Sequence, residues 1–122
     1  MSILYLVINN NINMTKISIF YLNENANHYL HFAAYDFLMK VGLKVEKRNY
    51  DKVYEIEVDA EPSIKLLDDV YTVFNINHPD DFHNRSMSMG DLMIINDDKI
   101  YYVDRVGYTE LKENNDGTYS KI

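Results

Sequence analysis

The segment NINHPDDFHNRSMSMGDLMII, residues 75–95, contains two histidines and two adjacent aspartates within six residues. Imidazole and carboxylate groups are ligand types that zinc and other divalent metals accept. The same groups can also carry protons in a reaction. One hypothesis for the segment is therefore a small metal-binding or enzymatic site made by His78, Asp80, Asp81 and His83.

The spacing of the two histidines argues against a metal site. On a helix His78 and His83 would lie about 140° apart round the axis, and Pro79 prevents a regular helix through the pair. A catalytic zinc site needs three protein ligands, and His28 and His31 could contribute only if the fold brought them close. We therefore expect neither a metal nor another cofactor.

A structural interpretation accounts for the same residues. A helix ends at His78, and Pro79 begins a single new turn. Asp80 and Asp81 then occupy the N-terminal end of that turn, where the helix dipole favours acids. Phe82 packs into the core, so that the segment is a connection between a helix and a strand.

Other catalytic patterns are weak in this chain. The nucleotide-binding motifs GxGxxG and GxxxxGK[ST] and the zinc motif HExxH do not occur. Ser86 and Ser88 lie near Arg85 and His83, but no GxSxG nucleophile elbow accompanies them. We assign no catalytic residues and expect a protein that is not an enzyme.

Length and composition predict one domain over residues 1–122. The chain has no cysteine, which removes disulfides and thiol nucleophiles. The longest apolar run, residues 3–8 (ILYLVI), is far too short to span a membrane, and we expect a cytoplasmic location in a bacterial host cell. We expect residues 1–13 to form an extra strand or an extension, with Met14 as an alternative start.

Charge is unevenly distributed along the chain, whose net charge is −7. Residues 53–104 contain twelve acids and three bases, whereas residues 40–52 are mainly basic. The acidic half would repel a phosphate backbone and attract a basic protein surface. The alternative is a solvated surface that only keeps the protein soluble.

Hydrophobic alternation indicates several strands. Residues 53–58 alternate strictly, which predicts a half-buried strand with Tyr54, Ile56 and Val58 inside. Residues 112–122 are polar and predict a frayed tail. The other predicted strands are residues 16–22, 28–32, 92–95, 100–103 and 108–111, with a tight turn at residues 96–99.

Two segments show helical spacing. Residues 33–41 end at Gly42, a usual C-terminal stop, and residues 64–75 follow Pro62 and must end before Pro79. The predicted apolar stripes are Ala34, Phe37, Leu38 and Val41 in the first helix, and Ile64, Leu67, Val70 and Phe74 in the second. The element order predicts an α+β fold with a mostly antiparallel sheet of five to six strands and two helices packed on one face.

Five stretches together resemble one protein family. They are residues 41–58 (VGLKVEKRNYDKVYEIEV), 70–75 (VYTVFN), 78–82 (HPDDF), 86–91 (SMSMGD) and 101–108 (YYVDRVGY). In order and type they resemble the YodL-like domain, over roughly residues 16–111. The resemblance supplies no catalytic residues. It implies an origin in a phage or another bacterial mobile element, which agrees with the many residues whose codons are rich in A and T.

Mobile elements carry short acidic proteins that block host defence nucleases. The resemblance and the charge together predict a protein-binding inhibitor of the anti-CRISPR type, directed at a Cas9-like enzyme and without nucleic-acid binding of its own. A non-inhibitory accessory domain is the alternative, and the oligomeric state stays open. The predicted partner-binding residues are Asp68, Asp69, Asp80, Asp81, Asp97 and Asp98.

Overall fold

Seven strands form one antiparallel sheet in the computed structural model, which describes residues 14–122. The strand predicted at residues 3–8 lies outside the described residues. The sheet order is β2-β7-β6-β5-β4-β1-β3. The strands are β1 (Met14–Leu22), β2 (Val45–Glu46), β3 (Tyr50–Asp59), β4 (Leu92–Ile95), β5 (Lys99–Val103), β6 (Tyr108–Glu113) and β7 (Thr118–Lys121), and the helices are α1 (Tyr35–Val41) and α2 (Ile64–Ile76).

The sheet is curled, because its two edge strands are neighbours along the chain. Only the 3₁₀ turn Lys47–Asn49 connects β2 to β3, so the edges must approach each other. Two backbone hydrogen bonds hold this turn: Lys47 N–H donates to the Gly117 carbonyl at 2.9 Å, and Asn23 N–H donates to the Asn49 carbonyl at 2.8 Å. The sheet therefore has an inner face, to which both edges contribute, and an outer face.

Helix α2 covers the outer face. Ser63 caps its first turn, since the Ser63 hydroxyl oxygen accepts from Leu66 N–H at 3.0 Å. Leu67, Val70 and Phe74 are buried as predicted, whereas Ile64 is 52% exposed. The three buried side chains pack on the alternate residues of β1, β3 and β4 that point outward: Ile17, Ile19, Tyr21, Ile56, Val58, Met93 and Ile95.

Helix α1 covers part of the inner face, and its buried side differs from the predicted stripe. Gly42 ends the helix in the left-handed conformation, with φ 77°, as expected of a C-terminal stop. Leu38 is buried as predicted, but Phe37 and Val41 are 45% and 51% exposed. Tyr35 is buried instead: its ring packs on Tyr102 with centroids 5.8 Å apart, and its hydroxyl oxygen accepts from Lys121 N–H at 3.0 Å.

Four further predictions about the fold need correction. The two helices lie on opposite faces of the sheet, because their buried residues belong to separate cores. Residues 28–32 do not form a strand: His28–Leu30 is a 3₁₀ turn capped by the Asn27 side chain, which accepts from Tyr29 N–H at 2.9 Å. In the tail, β7 pairs with both β6 and β2. The tail is therefore ordered, and the sheet has seven strands rather than five or six.

The hairpin of β4 and β5 confirms the turn predicted at residues 96–99. Asn96 and Asp97 both have positive φ, of 52° and 57°, which is the conformation of a type I′ hairpin turn. Asp98 N–H donates to the Ile95 carbonyl at 2.9 Å and closes the turn. Within residues 14–122, no helix has the length and apolar character needed to cross a membrane.

Candidate functional site

An ion pair between a buried aspartate and a partly exposed arginine organises the loop between α2 and β4. The Arg85 guanidinium donates two hydrogen bonds of 2.8 Å to the Asp91 carboxylate, one to each oxygen. The Asp91 residue is 0% exposed, so the carboxylate is stabilised by this bidentate contact. The same guanidinium lies 4.0 Å from the centroid of the Tyr21 ring. The hydrogen bond with Asp91 raises the pKa of Arg85.

Further hydrogen bonds stabilise this loop, and we call residues 85–91 with these bonds the clamp. Ser88 N–H donates to an Asp91 carboxylate oxygen at 2.8 Å. The Asn75 side chain exchanges two hydrogen bonds with the backbone of Met87, at 2.7 and 3.1 Å. Ser88 is thus used to position Asp91, which agrees with a connecting role for the loop. The sequence reasoning missed the Arg85–Asp91 pair, although a base and an acid on either side of a Ser-x-Ser stretch could have suggested it.

The histidines of the same loop do not form a cluster with the aspartates. His78 Nδ1 lies 2.9 Å from the Pro79 carbonyl oxygen, and its ring packs on Phe82 with centroids 5.7 Å apart. Phe82 is buried, as predicted, and its ring contacts Phe74 of α2 at 4.8 Å. In the part of the chain that the structure describes, no three histidine, cysteine, aspartate or glutamate side chains are placed to hold a metal ion.

Two of the predicted partner-binding acids lie on α2. The Asp68 carboxylate accepts a hydrogen bond of 2.8 Å from the Tyr108 hydroxyl. Asp69 forms an ion pair with Lys65 at 3.0 Å, one helical turn away. A neutral group therefore fixes the position of Asp68, whereas Lys65 partly neutralises the charge of Asp69.

Two more acids lie beside the end of α2. The Asp81 carboxylate accepts a hydrogen bond of 2.6 Å from the Tyr54 hydroxyl, and this bond raises the pKa of Tyr54 to about 12. The Tyr54 ring packs on Phe74 of α2, with centroids 5.3 Å apart, so Asp81 is fixed on the α2 side of the sheet. Asp80 is exposed, and among residues 14–122 its carboxylate makes no ion pair or hydrogen bond.

The remaining pair lies apart from these four. Asp97 forms an ion pair of 2.5 Å with Lys16 at the start of β1, and this contact raises the pKa of Lys16. Asp98 is exposed in the same hairpin turn. Both residues line a cavity of about 670 Å³ on the inner face. Asp68 and Asp69 thus lie on α2, and Asp80 and Asp81 lie in the loop that follows it; we call these four acids the α2 acidic surface. Asp97 and Asp98 lie apart from them, in the β4–β5 turn.

The cavity on the inner face was not predicted from the sequence. Its floor is apolar and its rim is charged, and Lys47 and Lys52 bring part of the basic stretch 40–52 to that rim. The floor comprises Ser18, Phe20, Tyr50, Leu92, Ile94, Ile100, Leu111 and Tyr119.

The family model of the YodL-like domain matches residues 16–113, which is most of the chain. This chain belongs to the YodL-like domain family. Comparison with curated proteins and with solved structures gives no match.

The matched range of this YodL-like domain includes both helices, five complete strands, most of β1 and the clamp around Asp91. The resemblance rests partly on the stretch 86–91, and this stretch has a structural role. Ser88 and Asp91 fix the conformation of the loop. Gly90 has a φ of 102°, a conformation that favours glycine. Strand β7 lies beyond the match but completes the sheet. All six predicted partner-binding acids fall within the matched residues.

Proposed function

We propose that this YodL-like domain is a protein-binding module of a phage or another mobile element. It inhibits a host defence enzyme that acts on nucleic acid, in the manner of an anti-CRISPR protein directed at a Cas9-like nuclease. It docks on a basic nucleic-acid-binding surface of that enzyme and competes with the nucleic acid. The net charge of −7 is modest, so we propose contact with one part of such a surface rather than imitation of a whole duplex.

The α2 acidic surface is the observation that supports this proposal. Between Ile64 and Asn84 the sequence has four acids and one base, Lys65. Tyrosine hydroxyl groups fix the positions of Asp68 and Asp81. These donors are uncharged, so they orient the carboxylates without cancelling the field that a basic partner would sense.

Prior orientation of the acids favours binding. A side chain that is already fixed loses little conformational entropy when a partner binds. Asp80 is next to one of the fixed acids, and its carboxylate is free to pair with an arginine or lysine. We therefore rank Asp80 and Asp81 first among the proposed contacts, and we rank Asp97 lower because Lys16 partly neutralises it.

Affinity capture from a host lysate, followed by mass spectrometry, tests the identity of the partner. The bait is the full chain, and the matched baits are the double variants Asp80→Lys/Asp81→Lys and Asp97→Lys/Asp98→Lys. Both change the net charge by the same amount, from −7 to about −3. We expect the wild-type chain and the Asp97→Lys/Asp98→Lys variant to capture a nuclease or another nucleic-acid enzyme. The Asp80→Lys/Asp81→Lys variant should fail to capture it.

The salt dependence of binding tests the electrostatic mechanism. Between 0.1 and 1 M salt the Debye length falls from about 10 Å to about 3 Å, so the association rate with the captured enzyme should fall steeply. Equal binding by both double variants at every salt concentration would contradict docking through the α2 acidic surface. Capture of the enzyme without any loss of its nuclease activity would instead support the alternative of a non-inhibitory accessory domain.

A further inference from the structure

The inner face carries a buried polar group that lacks a partner. Ser18 is 2% exposed, and within the described residues its hydroxyl makes no hydrogen bond. In the sheet register it lies opposite Ile94 on one side and Glu55 on the other, so its side chain shares the inner face with the floor of the cavity. A buried hydroxyl without a partner is unfavourable. A polar atom placed in the cavity would satisfy it once the Ser18 side chain rotates towards the cavity.

The other floor residues indicate the shape of an occupant. Phe20, Tyr50 and Tyr119 are aromatic, and flat rings pack well against such side chains. The Tyr50 hydroxyl already donates to the Gly90 carbonyl at 2.7 Å. Ser18 therefore offers a fully buried hydroxyl on this floor that has no hydrogen bond within the described residues. A sugar or a nucleotide has many polar atoms that such a floor would leave unpaired.

The rim of the cavity indicates the charge of an occupant. It carries four lysines and four acids, so their formal charges cancel. Two of the lysines are engaged across the sheet, Lys47 with Glu113 at 3.4 Å and Lys99 with Glu110 at 3.8 Å. This balance favours an uncharged molecule over an anion or a cation. The volume of about 670 Å³ lies within the range of small-molecule sites, roughly 300–1,000 Å³.

We propose that this cavity binds a small uncharged aromatic molecule with a single hydroxyl or carbonyl group, which forms a hydrogen bond with the Ser18 hydroxyl. The apolar body of the molecule lies on Phe20, Ile94 and Leu111. Its polar atom points to the Ser18 hydroxyl, in the middle of β1. This site is separate from the α2 acidic surface, so the chain has a ligand-binding face and a protein-binding face.

Titration of the full chain with two matched probes tests this proposal. 2-Naphthol carries one hydroxyl, and 2-methylnaphthalene has nearly the same shape without it. Chemical-shift changes in ¹H–¹⁵N spectra locate each probe and give its Kd. We expect shifts around Ser18, Ile94 and Leu111, with 2-naphthol binding about 5–10-fold more tightly, the gain from about one net hydrogen bond.

The variant Ser18→Ala should remove this preference, so that both probes bind with similar Kd. The variant Ile94→Phe, which fills part of the cavity, should weaken both probes about equally. Shifts spread over the surface, or an unchanged preference in Ser18→Ala, would overturn the proposal. Asp80→Lys/Asp81→Lys is the control, because it should leave both Kd values unchanged and so separates this site from the proposed function.

Discussion

The outer and inner faces of the curled sheet are covered to different extents. Helix α2 has thirteen residues, a length of about 20 Å, whereas α1 has seven and a length of about 10 Å. The longer helix buries Leu67, Val70 and Phe74 against the outer face. The shorter one leaves an open cavity beside it. A cavity of about 320 Å³ lies beside α2, so the inner cavity of about 670 Å³ is roughly twice as large.

The two faces also differ in how their polar groups are satisfied. On the outer side Asp91 is paired with Arg85, and Asp81 accepts from Tyr54. On the inner side the Ser18 hydroxyl is buried without a partner within the described residues. Satisfied polar groups stabilise the fold, and unsatisfied ones reduce its stability. The following predictions use this difference.

The largest effect is expected from a cavity created under α2. Phe74→Ala should lower the free energy of unfolding by about 3–5 kcal/mol, because the ring is buried and its removal leaves a sealed void. Phe20→Ala, on the floor of the open cavity, should cost only about 1–2 kcal/mol because less apolar area is lost from burial. Urea unfolding followed by far-UV circular dichroism measures both. Equal losses would show that the inner face is as well packed as the outer one.

The second effect concerns the clamp. Arg85→Met removes the partner of the buried Asp91 carboxylate, and we expect a loss of about 2–3 kcal/mol, below the full value for a buried pair because Arg85 is 38% exposed. Arg48→Met is the control, since Arg48 is 81% exposed in its pair with Glu46. It should change stability by less than about 0.5 kcal/mol. The same urea experiment measures both variants, and a loss no larger than that of the control would contradict the structural role of the clamp.

The third effect depends on pH. The hydrogen bond to Asp81 raises the pKa of Tyr54 to about 12, above the unfolded value of about 10. The protonated Tyr54 therefore stabilises the fold fully below pH 10, and this contribution is lost as the pH rises from 10 to 12. Burial also raises the pKa of Tyr21 and of Tyr102. These two tyrosines therefore also stabilise the fold below pH 10 and lose that contribution as the pH rises.

Tyr54→Phe tests this pH dependence. At pH 9 the variant should be less stable than the wild type by about 1 kcal/mol, the value of one net hydrogen bond, and the difference should shrink towards zero near pH 12. Urea unfolding at successive pH values measures it. Tyr29→Phe is the control because Tyr29 is 60% exposed. A Tyr54→Phe difference that stays constant over this pH range would show that the Tyr54–Asp81 bond is not responsible.

The smallest effect should have the opposite sign. Without a ligand, Ser18→Ala removes a buried hydroxyl that has no partner, and it should stabilise the fold by up to about 1 kcal/mol. Ser120→Ala is the matched control, because the Ser120 hydroxyl oxygen accepts from the Asn114 side chain at 3.1 Å, and its loss should be destabilising. Thermal unfolding measures both. A destabilised Ser18→Ala would indicate that the hydroxyl is already satisfied in solution.

Local patterns in the sequence determined several elements of this fold. The strict alternation at residues 53–58 and the helical stripe ending at Phe74 predicted β3 and α2, because each segment presents one apolar side to a core. The turn at residues 96–99 predicted the β4–β5 hairpin, because Asn96 and its neighbours accept positive φ. Composition also identified the acidic residues, and the motifs identified the family.

Only the tertiary structure decided how these parts meet. The polar β7 segment has no strong apolar pattern of its own, and it is a strand because β6 and β2 pair with its backbone on both sides. Tyr35 is buried through a contact with Lys121, far along the chain. The Tyr54–Asp81 bond and the cavity at Ser18 likewise join distant residues. Such contacts depend on the curl of the whole sheet, which local periodicity does not encode because it reports one element at a time.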